Sequence, residues 1–278
     1  MEKFPFLTLP PMSPSFTFAA IAVLLVFGLI LYFIFRPKRL PPLPAFLPEW
    51  RELLLRYVNF YQNLNAAERK TFEVRMQAFL QRVTLTGIET EITEKDRAFI
   101  AASAIIPTFG FPRWNQYPKL EQVLLYKTHF RWGDFATEGK DRRVAGMVGG
   151  GFLNGKLLLS RPSLHRGFKV EGPDNTGIHE FAHLLDKADG DTDGIPDYFL
   201  KNDYLIPWVE MIRKESLAIA KGDSKIDSYA LTNQAEFFAV AAEYFFNQPY
   251  KLNRDHPELF SLLERVFQQD MNEDGKIG

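Results

Sequence analysis

The stretch HEFAHLLDKADGDTDGIP, residues 179–196, opens with the pattern His-Glu-x-x-His and closes in a run of Asp and Gly. Positions four apart on a helix lie one above the other, so His179 and His183 can offer two imidazoles to one zinc ion. Glu180 points to the neighbouring side, where it can take a proton from zinc-activated water and pass it to a leaving amine. The pattern therefore predicts a helix that carries a zinc-dependent hydrolytic site.

A catalytic zinc site of this kind needs a third protein ligand and an open fourth position. The chain has five His and no Cys, and no third His follows at the near spacing, so a carboxylate from farther along is expected. The segment NQAEFFAVAAEYFFNQP, residues 233–249, offers Glu236 and Glu243 on one helical face. Glu236 is either a ligand or a capping partner of Asn233, and spacing alone leaves both open. Glu243 is more typical of a carboxylate behind the ligands or on the surface.

The Asp-rich half of the opening stretch resembles the start of a calcium-binding loop. Asp189, Asp191 and Asp193 fit its first ligand positions, but Leu200 stands where calcium needs a bidentate Glu. A polar turn leading out of the helix is the favoured interpretation, with calcium at these aspartates as the weaker alternative. Asp186, just before this turn, is a candidate hydrogen-bond acceptor for a ligand imidazole.

Toward the N-terminus, after a short tail (1–15), the chain has twenty residues without a charge, FTFAAIAVLLVFGLILYFIF, residues 16–35. As a helix this segment would be about 30 Å long, which predicts one transmembrane helix. Three cations follow it directly, which favours a retained anchor with the rest of the chain in the cytoplasm. The prolines of residues 36–48 predict an extended basic linker. A single-pass membrane protein with a cytoplasmic catalytic domain is expected.

The rest of the chain shows mixed patterns. Helical spacing with capping residues at the start predicts helices over 65–83 and from Thr93 to Pro107, and branched apolar runs predict strands over 120–127 and 156–161. The fold class is therefore α+β, mainly helical with a small sheet. A hydrophobic content of 46% is ample for a core, and a formal charge of -1 argues against nucleic acid as a partner.

Four segments resemble one known family. IHEFAHLLDKADGDTDGIP, SYALTNQAEFFAVAAEYFF, TEKDRAFIAASAI and GKLLLSRPSL are similar, in this order, to motifs of the Mlc titration factor A family of zinc metallopeptidases. The similarity covers roughly residues 50 to 249. Leu184 departs from the family pattern, which more usually has Lys there.

The resemblance implies a zincin-like catalytic region over 108–278, preceded by a helical subdomain over 49–107. It implies one zinc per chain, held by His179, His183 and Glu236. The resemblance also implies that Glu180 is the general base. Tyr229 would donate a hydrogen bond to the oxyanion.

The leading hypothesis is a membrane-anchored zinc peptidase that acts on peptides or proteins, with aminopeptidase activity implied by the resemblance. The alternative is a membrane-tethered, zinc-binding regulatory scaffold without turnover. The best-known member of the family is soluble and lacks the membrane segment. Its regulatory protein partner is therefore not carried over to this chain, and no such partner is identified.

Overall fold

The computed structural model describes residues 14–35, 42–43, 45–112, 117, 119–130, 146–148, 154–169, 172, 174–188, 190–196 and 202–271. The chain forms two compact units, Met1–Pro42 and Leu43–Gly278. The described helices are α1 (Pro14–Phe35), α2 (Pro48–Tyr57), α3 (Asn59–Asn63), α4 (Ala66–Arg82), α5 (Glu94–Ile105), α6 (Arg161–Gly167), α7 (Thr176–Asp186), α8 (Asn202–Lys221), α9 (Gln234–Asn247), α10 (Pro249–Asp255) and α11 (Pro257–Phe267). Short 3-10 turns cover Ile106–Thr108 and Ser228–Leu231.

The first unit contains the helix that the sequence predicts over residues 16–35, here α1. Its described side chains are exposed. Within the described ranges, none of the helices combines the length and the apolar character needed to cross a membrane. The helix is thus confirmed, and its assignment as a membrane span is not.

The second unit contains a four-stranded sheet. Its strands are β1 (Thr84–Ile88), β2 (Gln122–Tyr126), β3 (Gly146–Val148) and β4 (Lys156–Ser160), in the spatial order β1-β2-β4-β3. β1, β2 and β4 run parallel, and β3 pairs antiparallel with β4 at the edge. The predicted strands over 120–127 and 156–161 are confirmed as β2 and β4. β1 lies before residue 107, the expected boundary between the helical subdomain and the catalytic region, and it pairs with β2, which lies after that boundary. The sheet therefore contains strands from both predicted regions.

The capping patterns in the sequence form as expected. Asn65 and Glu68 make a capping box at the start of α4, and Thr93 and Asp96 make one at the start of α5. Each box satisfies backbone N–H groups that a helix start leaves without intrahelical partners. The predicted α+β class, mainly helical with a small sheet, is confirmed.

Helix α5 is a buried support for α7, the helix that contains the HEFAH sequence. A Cβ at Gly177 would lie 2.1 Å from Oγ of Ser103, so α7 and α5 approach each other too closely for any side chain at this point. Phe181 packs its ring against Phe79 and Tyr117, with centroids 5.8 and 5.0 Å apart. These contacts hold one face of α7 in place. The other face is in contact with α9.

Candidate metal centre

Two capped helices bring the predicted metal ligands together. Asn175 caps α7 by accepting the N–H of Ile178 at 3.1 Å, and Asn233 caps α9 by accepting the N–H of Glu236 at 2.9 Å. Glu236 is thus capped through its backbone while its side chain reaches α7. Its backbone N–H therefore takes part in the cap, and its carboxylate lies at the predicted ligand position.

The three predicted ligand side chains form a small triangle. Nε2 of His179 lies 3.0 Å from Oε2 of Glu236 and 3.1 Å from Nε2 of His183, and the third side, His183 Nε2 to Glu236 Oε2, is 3.3 Å. Ligand atoms around a tetrahedral zinc, with bonds of about 2.0 to 2.1 Å, are about 3.3 Å apart. In the part of the chain that the structure describes, no other group of three His, Asp or Glu side chains meets in this way.

The charges of this triangle favour a cation. Burial disfavours the charged form of His179, but hydrogen bonds to Glu236 and Glu243 outweigh this and raise the pKa of His179 well above its ordinary value. Burial likewise opposes the ionised form of Glu236, yet His179 and His183 hold its pKa well below the usual range. A metal ion requires deprotonated imidazoles and so competes with the proton that this site retains. The donor set fits zinc.

Glu180 lies beside the triangle and is 5% exposed. Burial, together with the carboxylates of Glu236 and Glu243, raises its pKa to about 8, although His179 lowers it. Its Oε2 has no hydrogen-bond partner among the described residues. Such a buried carboxyl, with a pKa near neutrality, suits a group that exchanges protons in catalysis.

The backbone of β3 lies directly against this carboxyl. A Cβ at Gly146 would be 2.6 Å from both Cγ and Oε1 of Glu180. Only a glycine leaves the carboxyl in its observed position. The edge strand of the sheet therefore packs directly beside Glu180.

Tyr229 lies beside His179, with ring centroids 6.2 Å apart. It is 53% exposed, and Asp227 holds its turn by accepting the N–H of Tyr229 at 2.7 Å. Partial burial, followed by the charges of Glu236 and Glu180, raises the pKa of Tyr229. The phenol therefore keeps its proton at neutral pH and remains a hydrogen-bond donor.

Glu243 lies behind the ligands, one of the two positions that the sequence analysis favoured. Its Oε1 is 2.5 Å from Nδ1 of His179, and its Oε2 accepts the backbone N–H of Asn175. This carboxylate links a ligand ring to the helix cap. By contrast, Nδ1 of His183 is buried with no hydrogen-bond partner within the described ranges.

Asp186 contacts the loop that follows α7. Its Oδ2 accepts the N–H of Gly194 at 3.0 Å, and Gly194 in turn accepts a hydrogen bond from Nε1 of Trp208 at 2.7 Å. The ring nitrogens of His179 and His183 have other partners or none. Asp186 therefore holds the loop that folds back over the end of α7, and its role as an acceptor for a ligand imidazole remains a prediction.

The Asp-rich loop makes no metal cluster among the described residues. Asp193 accepts the N–H of Ile195 at 3.0 Å, a local turn of the kind that the sequence analysis favoured. Asp189, the first of the three candidate calcium ligands with Asp191 and Asp193, lies outside the described residues.

Three residues of the site were missed by sequence reasoning. The Asn before TGIHE is a recognisable N-cap, so Asn175 could have been found. Gly194 follows an Asp-rich turn, but its role depends on contacts with distant elements. Nothing in the local pattern around Gly146 signals that it touches Glu180.

The sequence of the chain is similar to those of known proteins. The sequence profile of the glucose-regulated metallo-peptidase M90 family matches residues 35–268, which include every residue of the site. An uncharacterized protein from Synechocystis sp. is 29% identical over 239 residues, covering 81% of this chain and 84% of its own.

Two further relatives carry the name Mlc titration factor A. The protein from Salmonella arizonae is 28% identical over 223 residues, which cover 75% of this chain and 86% of the relative. The protein from Salmonella gallinarum is also 28% identical over 223 residues, and the matched region covers 82% of its length.

Proposed function

Because the chain belongs to the glucose-regulated metallo-peptidase M90 family, we propose that it is a zinc-dependent peptidase that hydrolyses peptide bonds. The observation that carries the proposal is the triangle of His179, His183 and Glu236 ligand atoms, with sides of 3.0 to 3.3 Å. When bound, zinc supplies a Lewis acid that polarises the substrate carbonyl and lowers the pKa of water.

Each remaining group of the centre has a task in this reaction. Glu180 accepts the proton of the attacking water on its carboxylate and delivers it to the leaving amine. Tyr229 donates its O–H to the oxyanion that forms on the carbonyl oxygen. Glu243 fixes the ring of His179 by accepting from Nδ1, so that Nε2 faces the centre.

Aminopeptidase activity is the finer proposal. Asp174 lies near the centre, and burial and the charges of Glu243 and Asp227 raise its pKa. Glu236 and Glu243 place two further carboxylates around the centre. An acidic environment attracts the positively charged amino terminus of a peptide, which supports cleavage at that end.

Removal and return of the metal tests the proposal. The full chain is treated with a chelator, dialysed, and assayed for hydrolysis of unblocked and N-acetylated peptides before and after zinc is restored. We expect activity to vanish and return with one zinc per chain, and N-acetylation to slow cleavage. Unchanged hydrolysis without metal would refute the zinc mechanism, and equal cleavage of both peptides would refute the aminopeptidase assignment.

The second candidate is a zinc-binding regulatory scaffold without turnover. It is supported by the relatives named Mlc titration factor A, whose name does not describe an enzyme. This candidate predicts that zinc binds stoichiometrically and that no peptide is cleaved at any zinc concentration.

Attachment to a membrane through residues 16–35, with the rest of the chain in the cytoplasm, is also proposed. It is supported by the twenty uncharged residues and the cations that follow them. Cell fractionation with alkaline carbonate washing tests it, and release of the intact chain into the soluble fraction would contradict it.

A further inference from the structure

A cavity of about 600 Å³ lies against the N-terminal turn of α7 and the C-terminal end of α9. Ile178 contributes from α7, and Phe246 and Asn247 contribute from α9. Its volume is within the range of about 300 to 1,000 Å³ that is typical of small-molecule sites. None of the predicted metal ligands lines it. The cavity is therefore a separate site next to the metal centre.

The charged side chains of the described lining are all cations. Arg56, Lys169 and Lys251 line the cavity, and its described lining includes no Asp or Glu. The whole chain, by contrast, has a formal charge of -1. Three cations around one concave space, with no carboxylate among its described residues, raise the local concentration of anions.

The lining also contains aromatic rings and amides. The aromatic rings belong to Tyr57, Phe60, Phe168, Phe246 and Tyr250, and the amides to Asn59, Asn63, Asn247 and Gln248. Aromatic rings bury the flat apolar part of a ligand, and amides orient its polar groups. We propose that this cavity binds a small organic anion with a flat apolar part, and that this ligand regulates the metal centre.

A chain of hydrogen bonds through Asn175 and Glu243 connects the wall of the cavity to the ligand ring of His179. Nδ2 of Asn175 donates to the carbonyl of Gly167 at 3.1 Å and to Oδ1 of Asn247 at 3.5 Å, and both partners line the cavity. The backbone N–H of Asn175 donates to Glu243, whose other oxygen lies 2.5 Å from Nδ1 of His179. A ligand that moves the cavity wall therefore changes the position of the cap and of the carboxylate that orients His179.

Binding is tested on the zinc-free full chain with 1-naphthalenesulfonate, an aromatic anion, by titration calorimetry. Uncharged 1-naphthalenemethanol is the control, because it has the same aromatic ring system without the negative charge. We expect the sulfonate to bind more tightly than the alcohol. The double variant Lys169→Glu, Lys251→Glu should weaken sulfonate binding about tenfold or more, because it reverses two of the lining charges. The matched control is Lys70→Glu, Lys221→Glu, which makes the same charge change at two exposed lysines outside the cavity lining.

Equal effects of the two double variants, or no binding of the sulfonate, would overturn the site. The regulatory part rests on the proposed metal centre and has its own readout. Saturating 1-naphthalenesulfonate should change the zinc affinity, measured against a competing chelator, about fivefold or more in the unmodified chain and not in Lys169→Glu, Lys251→Glu. Sulfonate binding with unchanged zinc affinity would overturn regulation. Failure of zinc to bind at all would instead overturn the proposed function.

Discussion

Oε1 of Glu243 lies 2.5 Å from Nδ1 of His179, while the other oxygen of the same carboxylate accepts the N–H of Asn175. Removing such a partner behind a metal ligand typically costs 10- to 100-fold in metal affinity. We therefore expect Glu243→Gln to weaken zinc binding about tenfold or more, as measured by competition with a chelator. Glu258→Gln, at an exposed position on α11, is the control and should leave zinc affinity unchanged. Equal affinities for all three proteins would show that Glu243 does not orient His179.

Gly146 gives a test of how Glu180 is held. A methyl group here would lie 2.6 Å from Oε1 of Glu180 and displace the carboxyl. A shift of about 1 Å in a catalytic group can cost about 100-fold in rate, so Gly146→Ala should lower kcat by about this factor while zinc still binds. Gly28→Ala is the matched control, because its added Cβ would meet nothing within 4 Å. If both variants cleave peptide at the unmodified rate, β3 does not position the base.

Gly194 connects the loop after α7 to the start of α9. Its φ is +79°, and an added Cβ would lie 2.2 Å from the carbonyl oxygen of Gln234, two residues before Glu236. Gly222 has nearly the same φ, +78°, with open space around it. We expect Gly222→Ala to lower the free energy of unfolding by about 1 to 2 kcal/mol through backbone strain alone.

Gly194→Ala should cost about 1 to 3 kcal/mol more than this, because of overpacking, and should also weaken zinc binding. Urea denaturation and chelator competition measure the two effects. The same loss of stability in both variants, with zinc affinity intact, would mean that the loop does not position α9.

The sequence contains enough information for the local part of the site and not for the rest. His179, Glu180 and His183 are found from spacing within one helix, since the helical period alone places them. Glu236 lies 53 residues after His183, and the choice between ligand and cap needed either the family resemblance or the packing of α9 on α7. The contact between Asp186 and Gly194 was not predicted for a related reason, because the loop folds back through a hydrogen bond with Trp208.

The sheet shows the same limit. β2 and β4 have continuous apolar runs and were predicted, whereas β3 has only three residues, and β1, with the sequence TLTGI, has no buried residue. Both are strands because a stronger strand pairs with them. The helix starts at Asn65 and Thr93 were predictable because capping depends on residues only three apart.

Asp96 is expected to make stability depend on pH in the acid range. Burial opposes its ionised form, but His165, Thr93 and Arg161 lower its pKa from 3.8 to about 2. The folded pKa is below the unfolded one, so the contribution, about 2 kcal/mol, is complete above pH 4 and is lost as the pH falls toward 2. Asp96→Asn should remove this contribution at pH 7 and flatten the pH dependence between 4 and 2.

Urea denaturation at several pH values measures the effect. Glu52→Gln, at an exposed position on α2, is the control and should retain the full pH dependence. An undiminished loss of stability between pH 4 and 2 in Asp96→Asn would place the titrating group elsewhere.

The central claim is that Glu180, beside the His179, His183 and Glu236 triangle, carries out peptide hydrolysis. The most direct measurement is the rate of peptide cleavage by the full chain and by Glu180→Gln, each with its zinc content determined. The account predicts one zinc per chain in both proteins and a rate about 100-fold or more lower in the variant. Equal rates at equal zinc content, or no cleavage by the zinc-loaded unmodified chain, would contradict it.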